Sequence, residues 1–204
     1  MFKLSGGVIM ALFGPPLKEI WQQLANEINA EFQKGSLGKT ARVEKQYKNW
    51  TILLDTYTVN TGRSSVTYTR MRVPYRREND IVFKLSRKNI FSEIGRMFGM
   101  PLIETYDYDF NDEFVLKGND ESVIKEIFQN QNIKDMIKFQ KRVTLKVGPY
   151  KEKKSLTDSE LYFQMTNVLK DIDKLKNLFA LFSEMLDELV KNGVASEEKP
   201  TMIL

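Results

Sequence analysis

The sequence predicts an α+β domain with a mainly antiparallel sheet, packed by an N-terminal helix, short middle helices and a long C-terminal helix. Three observations predict it. Segments rich in β-branched and aromatic residues follow one another as a meander between residues 41 and 87. Helical periodicity is confined to the start, middle and end of the chain. The regular alternation of strands and helices that a parallel sheet requires is missing.

Pro15 and Pro16 pre-set a first helical turn, and Leu17, Ile20, Trp21, Leu24, Ile28 and Phe32 then recur at helical spacing, giving one apolar face to lie on a sheet. "KGSLGK" ends that helix. "NWTILLDTYTV", "VTYTRMRVPY" and "DIVFKLSR" read as a three-stranded meander with the turn "NTGRSS" between the first two. Pro74 cannot donate to a ladder and belongs at an edge or near a strand's end. "NIFSEIGRMFGM" predicts a short helix with Asn89 as cap and Gly99 as stop. "PLIET" and "FVLKG" predict strands, Asn119 and Asp120 cap a helix carrying Val123, Ile124, Ile127 and Phe128, and "IKDMIKFQ" makes another. "KRVTLKV" and "LYFQM" are the last strands, and residues 167 to 191 form the closing helix, with Gly193 as its stop.

The domain is expected over residues 15–194, with a disordered tail over 195–204 and a leader or disordered segment over 1–14. Within "MFKLSGGVIMALFGPP" the apolar run from Val8 to Phe13 is shorter than the roughly 7 to 15 residues of a secretory core, and no later run reaches the about 20 residues of a membrane span. "Ser-Gly-Gly-Val" is codable by a purine-rich ribosome-binding run, which makes Met10 the expected native start and residues 1–9 a translated leader. The chain therefore reads as cytoplasmic.

The chain of 204 residues has no cysteine and no histidine. Disulfides, thiolate metal sites, Ser-His-Asp and Cys-His nucleophiles and imidazole chemistry are thereby excluded. A net charge of +4 conceals an asymmetry. Residues 39–88 hold twelve Lys or Arg against four acids, while residues 101–204 hold fifteen against nineteen.

The acidic stretch "YDYDFNDEF" is the best enzymatic candidate, since Asp107, Asp109, Asp112 and Glu113 are oxygen ligands for a hard cation. The spacing does not match a calcium loop: counted from Asp107, Asp112 stands where glycine is required and Gly118 where glutamate is. Glu113 lies four residues before Lys117, not the two of a metal-dependent nuclease strand. "GKT" at 38–40 has Gln33 where a phosphate loop needs its first glycine. No cofactor or metal is expected.

Phe110, Phe114, Val115, Lys117, Gly118, Asn119 and Asp120, preceded by "NWTILLDTYTVNTGRSSVTYTRMRVPY" and "FSEIGRMFGM", resemble a group of uncharacterised bacterial proteins. The resemblance extends from about Trp50 through the closing helix. It implies a bacterial origin and brings no activity, cofactor or catalytic residue with it.

The most suggestive stretch is the ribbon from Thr56 to Arg77. Alternation puts Val66, Tyr68, Arg70 and Arg72 on one face, and Thr67, Thr69, Met71 and Val73 on a face suited to packing under a helix. The arginine face is thus expected to meet solvent, extended by Arg63 at the turn and by Arg76 and Arg77 past the strand. Arginine beside tyrosine suits a protein interface, and equally suits phosphate pairing with base stacking or an anionic lipid headgroup. The bland alternative is a solvated strand face balanced by acids such as those of residues 101–113. The expected function is a non-catalytic interaction module with Arg63, Tyr68, Arg70, Arg72, Arg76 and Arg77 as its contact surface. Self-association through the apolar stripe of the closing helix is expected with it.

Overall fold

The computed structural model describes residues 16–36, 40–60, 62–88, 99–149, 155 and 157–202. Helix α1 spans Leu17–Glu27 and leads to strands β1 (Glu31–Gln33), β2 (Arg42–Tyr47), β3 (Trp50–Asn60), β4 (Ser65–Arg76) and β5 (Phe83–Arg87). Strand β6 (Leu102–Ile103), helix α2 (Tyr108–Glu113), strand β7 (Phe114–Gly118) and helices α3 (Glu121–Ile127) and α4 (Gln131–Lys138) follow. The chain closes with β8 (Thr144–Pro149), β9 (Asp158–Thr166) and α5 (Ile172–Lys191).

The nine strands form one antiparallel sheet in the order β1-β2-β3-β4-β9-β8-β5-β7-β6. The predicted α+β class is thus observed. One face is apolar: Val43, Ile52, Leu54, Met71, Val73, Phe83, Leu85, Leu116, Leu145, Val147, Leu161 and Phe163 are buried on it. Against this face pack Ile20, Trp21 and Leu24 of α1, Ile124 and Ile127 of α3, Ile133 and Ile137 of α4, and the stripe of α5. Each such side chain removed from water contributes about 2 kcal/mol, so the helices are held mainly by this shared core.

Three expectations are corrected here. The first helix ends at Glu27, not past Phe32. Asn29 takes a left-handed conformation (φ 52°) that turns the chain, and Phe32 becomes the inner residue of β1, opposite Val43. The meander continues from β1 through β4, but β5 does not pair with β4, because β9 and β8 lie between them. Residues 77–82 cross the ends of those two strands. Asn119 holds that crossing by accepting from the Val82 N–H and donating to the Asp80 carbonyl, while Asn79 donates to the Gly193 carbonyl. Pro74 lies past Arg72, the last β4 residue with a β3 partner, as its missing N–H requires.

The tail after Ala195 is the third correction. Over residues 195–202 it is docked: Ser196 N–H donates to the Arg76 carbonyl, and Thr201 Oγ1 (2.5 Å) and the Met202 N–H (2.9 Å) both donate to the buried carboxylate of Asp158. Met202 is buried in turn. The helix expected at residues 89–98 and the leader at 1–14 lie outside the described residues. Among the described residues, no helix is long and apolar enough to cross a membrane.

Candidate functional site

Strands β3 and β4 have 11 and 12 residues, longer than most of their neighbours. β2 pairs with β3 only as far as Leu54, and β9 reaches β4 only from Thr69 onward. Residues 55–60 and 65–68 therefore stand beyond the sheet as a two-stranded hairpin. Asn167 touches its base, donating from its N–H to the Thr67 carbonyl. Cross-strand pairs hold it: the rings of Tyr57 and Tyr68 stack at 5.1 Å, Thr58 and Thr67 share a hydroxyl contact of 2.9 Å, and Ser65 Oγ donates to Asn60 Oδ1. Gly62, with φ 79°, makes the left-handed turn beside Arg63 at the exposed tip. Val59 is 41% exposed.

At the base of the hairpin the expected arginine surface is occupied. Asp55 lies opposite Arg70 in the register, and Arg70 donates to both its oxygens from Nε (2.8 Å) and Nη2 (2.6 Å). Arg72 Nη2 adds a third contact at 3.2 Å. Arg70 also stacks over Tyr57, at 4.9 Å from the ring centre. Arg72 is 7% exposed, so the expectation that this face meets solvent is corrected. A carboxylate one strand away draws the guanidinium groups onto the sheet and out of water. Sequence alternation alone does not reveal this, because it requires the β3–β4 register.

Next to this group Gln164 Oε1 accepts from the hydroxyls of Tyr57 (2.9 Å) and Tyr162 (2.8 Å). Burial, with the Tyr57 hydroxyl beside it, holds the Tyr162 phenol far above its ordinary range, so it is a neutral donor. Tyr57, Tyr162, Gln164 and Asp55 were missed by the sequence reading. Tyr57 and Asp55 were findable from the hairpin register implied by the "NTGRSS" turn; Tyr162 and Gln164 come from a strand about 90 residues on.

Arg76 and Arg77 lie at the other end of β4, beside a shallow depression of about 510 Å³ that Thr157 and Glu198 also line. Arg76 pairs with Glu198 at 2.5 Å and Arg77 with Asp80 at 2.8 Å. The structure thus brings Tyr68, Arg70 and Arg72 together, puts Arg63 at the tip, and sets Arg76 and Arg77 apart.

The acidic stretch does not cover the ribbon. Asp107 caps α2 by accepting from the Phe110 N–H (2.9 Å) and pairs with Lys134 (3.0 Å), contacts that hold its carboxyl below the ordinary range. Glu113 pairs with Arg87. Among the described residues no group of three or more Asp, Glu, His or Cys could hold a metal ion.

The fold has a solved counterpart. The crystal structure of the mycobacterial trehalose monomycolate transport factor A, TtfA, matches with a TM-score of 0.52 at 8% sequence identity, over 92% of this chain and 98% of that one. At that identity the likeness is one of fold. No family model matches the chain, and no curated protein is significantly similar to it.

The apolar stripe of the closing helix is turned into the core. Leu175, Leu178, Phe179, Leu181, Phe182, Met185, Leu186 and Leu189 are buried inside the same chain. The stripe expected as a dimer seam is used by the core.

Proposed function

We propose that this chain is a non-catalytic interaction module whose contact surface is the projecting part of the β3–β4 hairpin. The observation that supports this reading is the overhang itself. Beyond Thr56 and Thr67 the ribbon has, among the described residues, open backbone edges, an exposed valine, a stacked tyrosine pair and an arginine tip. Open edges accept an added strand, and Tyr and Arg are favoured anchors. A protein partner pairing along the hairpin is the occupant this chemistry fits. A solved structure that shares the fold is that of a transport factor.

The test is a capture experiment from bacterial lysate, with and without nuclease, comparing the natural chain with Val59→Asp and Arg63→Glu. Both substitutions sit on exposed positions and spare the fold. A defined protein retained by the natural chain and lost by both variants supports the reading; identical capture refutes it. Charge reversal at Arg70 and Arg72 is the wrong probe, because it places three negative groups together around Asp55.

The second reading is binding of an anionic polymer or headgroup by the same hairpin. The basic ends of β4, Arg63 at one and Arg76 with Arg77 at the other, favour a long ligand, since 12 strand residues span roughly 40 Å. Its mark is affinity that falls steeply with salt and is removed by nuclease when the polymer is nucleic acid.

A further inference from the structure

The projecting hairpin has two edges, and they are not alike. Asn167 donates from its N–H to the Thr67 carbonyl and accepts from the Thr69 N–H, so the odd-numbered residues of β4 aim their backbone groups towards β9. Arg77, which donates to the Thr157 carbonyl just past the strand, keeps the same phase. Val66 and Tyr68 therefore bond across the hairpin to Val59 and Tyr57, while Thr56, Thr58 and Asn60 turn their N–H and C=O groups to the opposite edge. β2 has left that edge, its last pair being Val43 with Leu54. Among the described residues nothing pairs there with the backbone of Thr58 or Asn60.

This edge lacks the features that keep strands from acquiring partners. The outermost strands of the sheet, β1 and β6, are short, at 3 and 2 residues. From Thr56 to Asn60, by contrast, there is no charged side chain and no proline, and the register with β4 is unbroken by a bulge. A depression of about 670 Å³ opens beside Thr56, lined by Leu17 and Lys18 of α1 and by Ala41. A strand added along Thr58 and Asn60 runs its end into it. Exposed cations stand at both ends of this track, Lys18 at the depression and Arg63 at the tip. The residues from Thr56 to Asn60 span roughly 17 Å between them.

We propose that the β3 edge of the hairpin takes up an extended peptide segment of a partner protein as an added strand, apolar in its middle and acidic at both ends. The proposal rests on the interaction reading above and names its occupant. The N–H and C=O of Thr58 and of Asn60 supply the main-chain bonds. Residues directly opposite across a strand pair share a face, so side chains set beside Tyr57 and Val59 join an apolar and aromatic surface. The side chain that ends in the depression is apolar as well, because it meets Leu17 and Ala41. Acids at the two ends answer Lys18 and Arg63. A second copy of this chain is the poorer occupant. Two β3 edges related by a twofold axis pair antiparallel, which brings each Arg63 towards the other copy's Lys18, cation against cation.

The test selects a displayed library of random peptides of about eight residues, long enough for the roughly 17 Å edge, on the full natural chain. Enriched peptides are then measured by fluorescence polarisation against the natural chain, Thr58→Pro, Lys18→Glu and Val59→Asp. They are expected to carry an acid near each end and apolar residues at alternate positions between. Thr58→Pro removes an N–H that points away from β4, so the hairpin ladder is kept and affinity is expected to fall about tenfold, the worth of a good main-chain bond. Lys18→Glu is expected to weaken binding about threefold, as an exposed charge contact does, and a peptide with lysine in place of the acid at that end is expected to recover it. Hydrogen exchange on the natural chain needs no variant, and should slow at the Thr58 and Asn60 amides when an enriched peptide is bound. Peptides that bind Thr58→Pro as tightly as the natural chain, without slowed exchange at those amides, overturn the proposal. If Val59→Asp still loses such peptides, the hairpin stands as the contact surface and only the edge is wrong; peptides indifferent to both variants overturn the interaction reading too. A library that yields no binder also overturns the proposal, and salt-dependent retention of a single-stranded oligonucleotide would then favour the anionic polymer.

Discussion

Asp55→Ala is the substitution that most directly measures what the base of the hairpin is for. The side chain of Asp55 is 10% exposed, and those of Arg70 and Arg72 are 14% and 8% exposed. Removing the carboxylate leaves two guanidinium groups in a nearly dry place without the anion that three donor contacts had fixed on them. Breaking a buried pair from one side costs about 3 to 5 kcal/mol. The low end applies, because Arg70 keeps the Tyr57 ring and both arginines have further contacts. A loss of about 3 kcal/mol shifts the folding equilibrium by more than a hundredfold. In urea, with a slope of about 2 kcal/mol/M, the midpoint moves down by about 1.5 M. Trp21 and Trp50 are 0% and 1% exposed, so intrinsic fluorescence reports the transition. Replacing Arg70 and Arg72 by Met in the Asp55→Ala background should recover most of the loss, because the guanidinium charges deprived of Asp55 are then gone. A loss under about 1 kcal/mol, the range of exposed ion pairs, would refute the reasoning and return the arginines to the solvent.

Other consequences are open to simpler tests. A Cβ at Gly118 would enter the side chain of Ile124 and lie 3.0 Å from the Val82 carbonyl and 3.1 Å from Phe83 Cβ, so Gly118→Ala should cost about 1 to 3 kcal/mol in chemical denaturation, partly restored by Ile124→Val. Truncation after Ser196 strips both described donors from the Asp158 Oδ2, and should lower stability by about 2 kcal/mol while increasing hydrogen exchange at Arg76 and Arg77. The carboxyl of Asp107 is held below its ordinary 3.8 by the Phe110 N–H and then by Lys134. Its stabilisation is therefore complete above that value and lost as pH falls through the lower folded one. The stability gap between the natural chain and Asp107→Asn should accordingly be constant near neutrality and close below about pH 4, as read by denaturation at several pH values.

Local signals made the elements legible. Alternation in "VTYTRMRVPY" and caps such as Asp120 are written in neighbouring residues, and the strands and helices they predict are present. The placement of β5 was not legible, because β9 takes the open edge of β4 from about 90 residues further along, and its apolar inner face is no more distinctive than that of any other strand. The candidate site was legible by half. Periodicity put Tyr68, Arg70 and Arg72 on one face, but the fate of that face was decided by Asp55 across the hairpin and by Tyr162 and Gln164 on β9. The tail was misread for a similar reason: its polar composition looks like a free end, while Thr201 and the Met202 N–H are what a buried Asp158 requires.

The insertion of β8 and β9 between β4 and β5 has a bearing on how the chain is made. The middle of the sheet is built from residues 144–166, so neither the ribbon that precedes it nor the β5–β7 pair can join until nearly the whole polypeptide has been synthesised. Pairing over such sequence separations is slow, and waiting strand edges are prone to wrong partners. During that wait β4 presents its open edge with Arg70 and Arg72 on one face, and like charges discourage two nascent copies from zipping together along it. Asp55, already made on β3, offsets only one of the two arginine charges, and the positive charge that remains is placed to act as a gatekeeper before the sheet is complete.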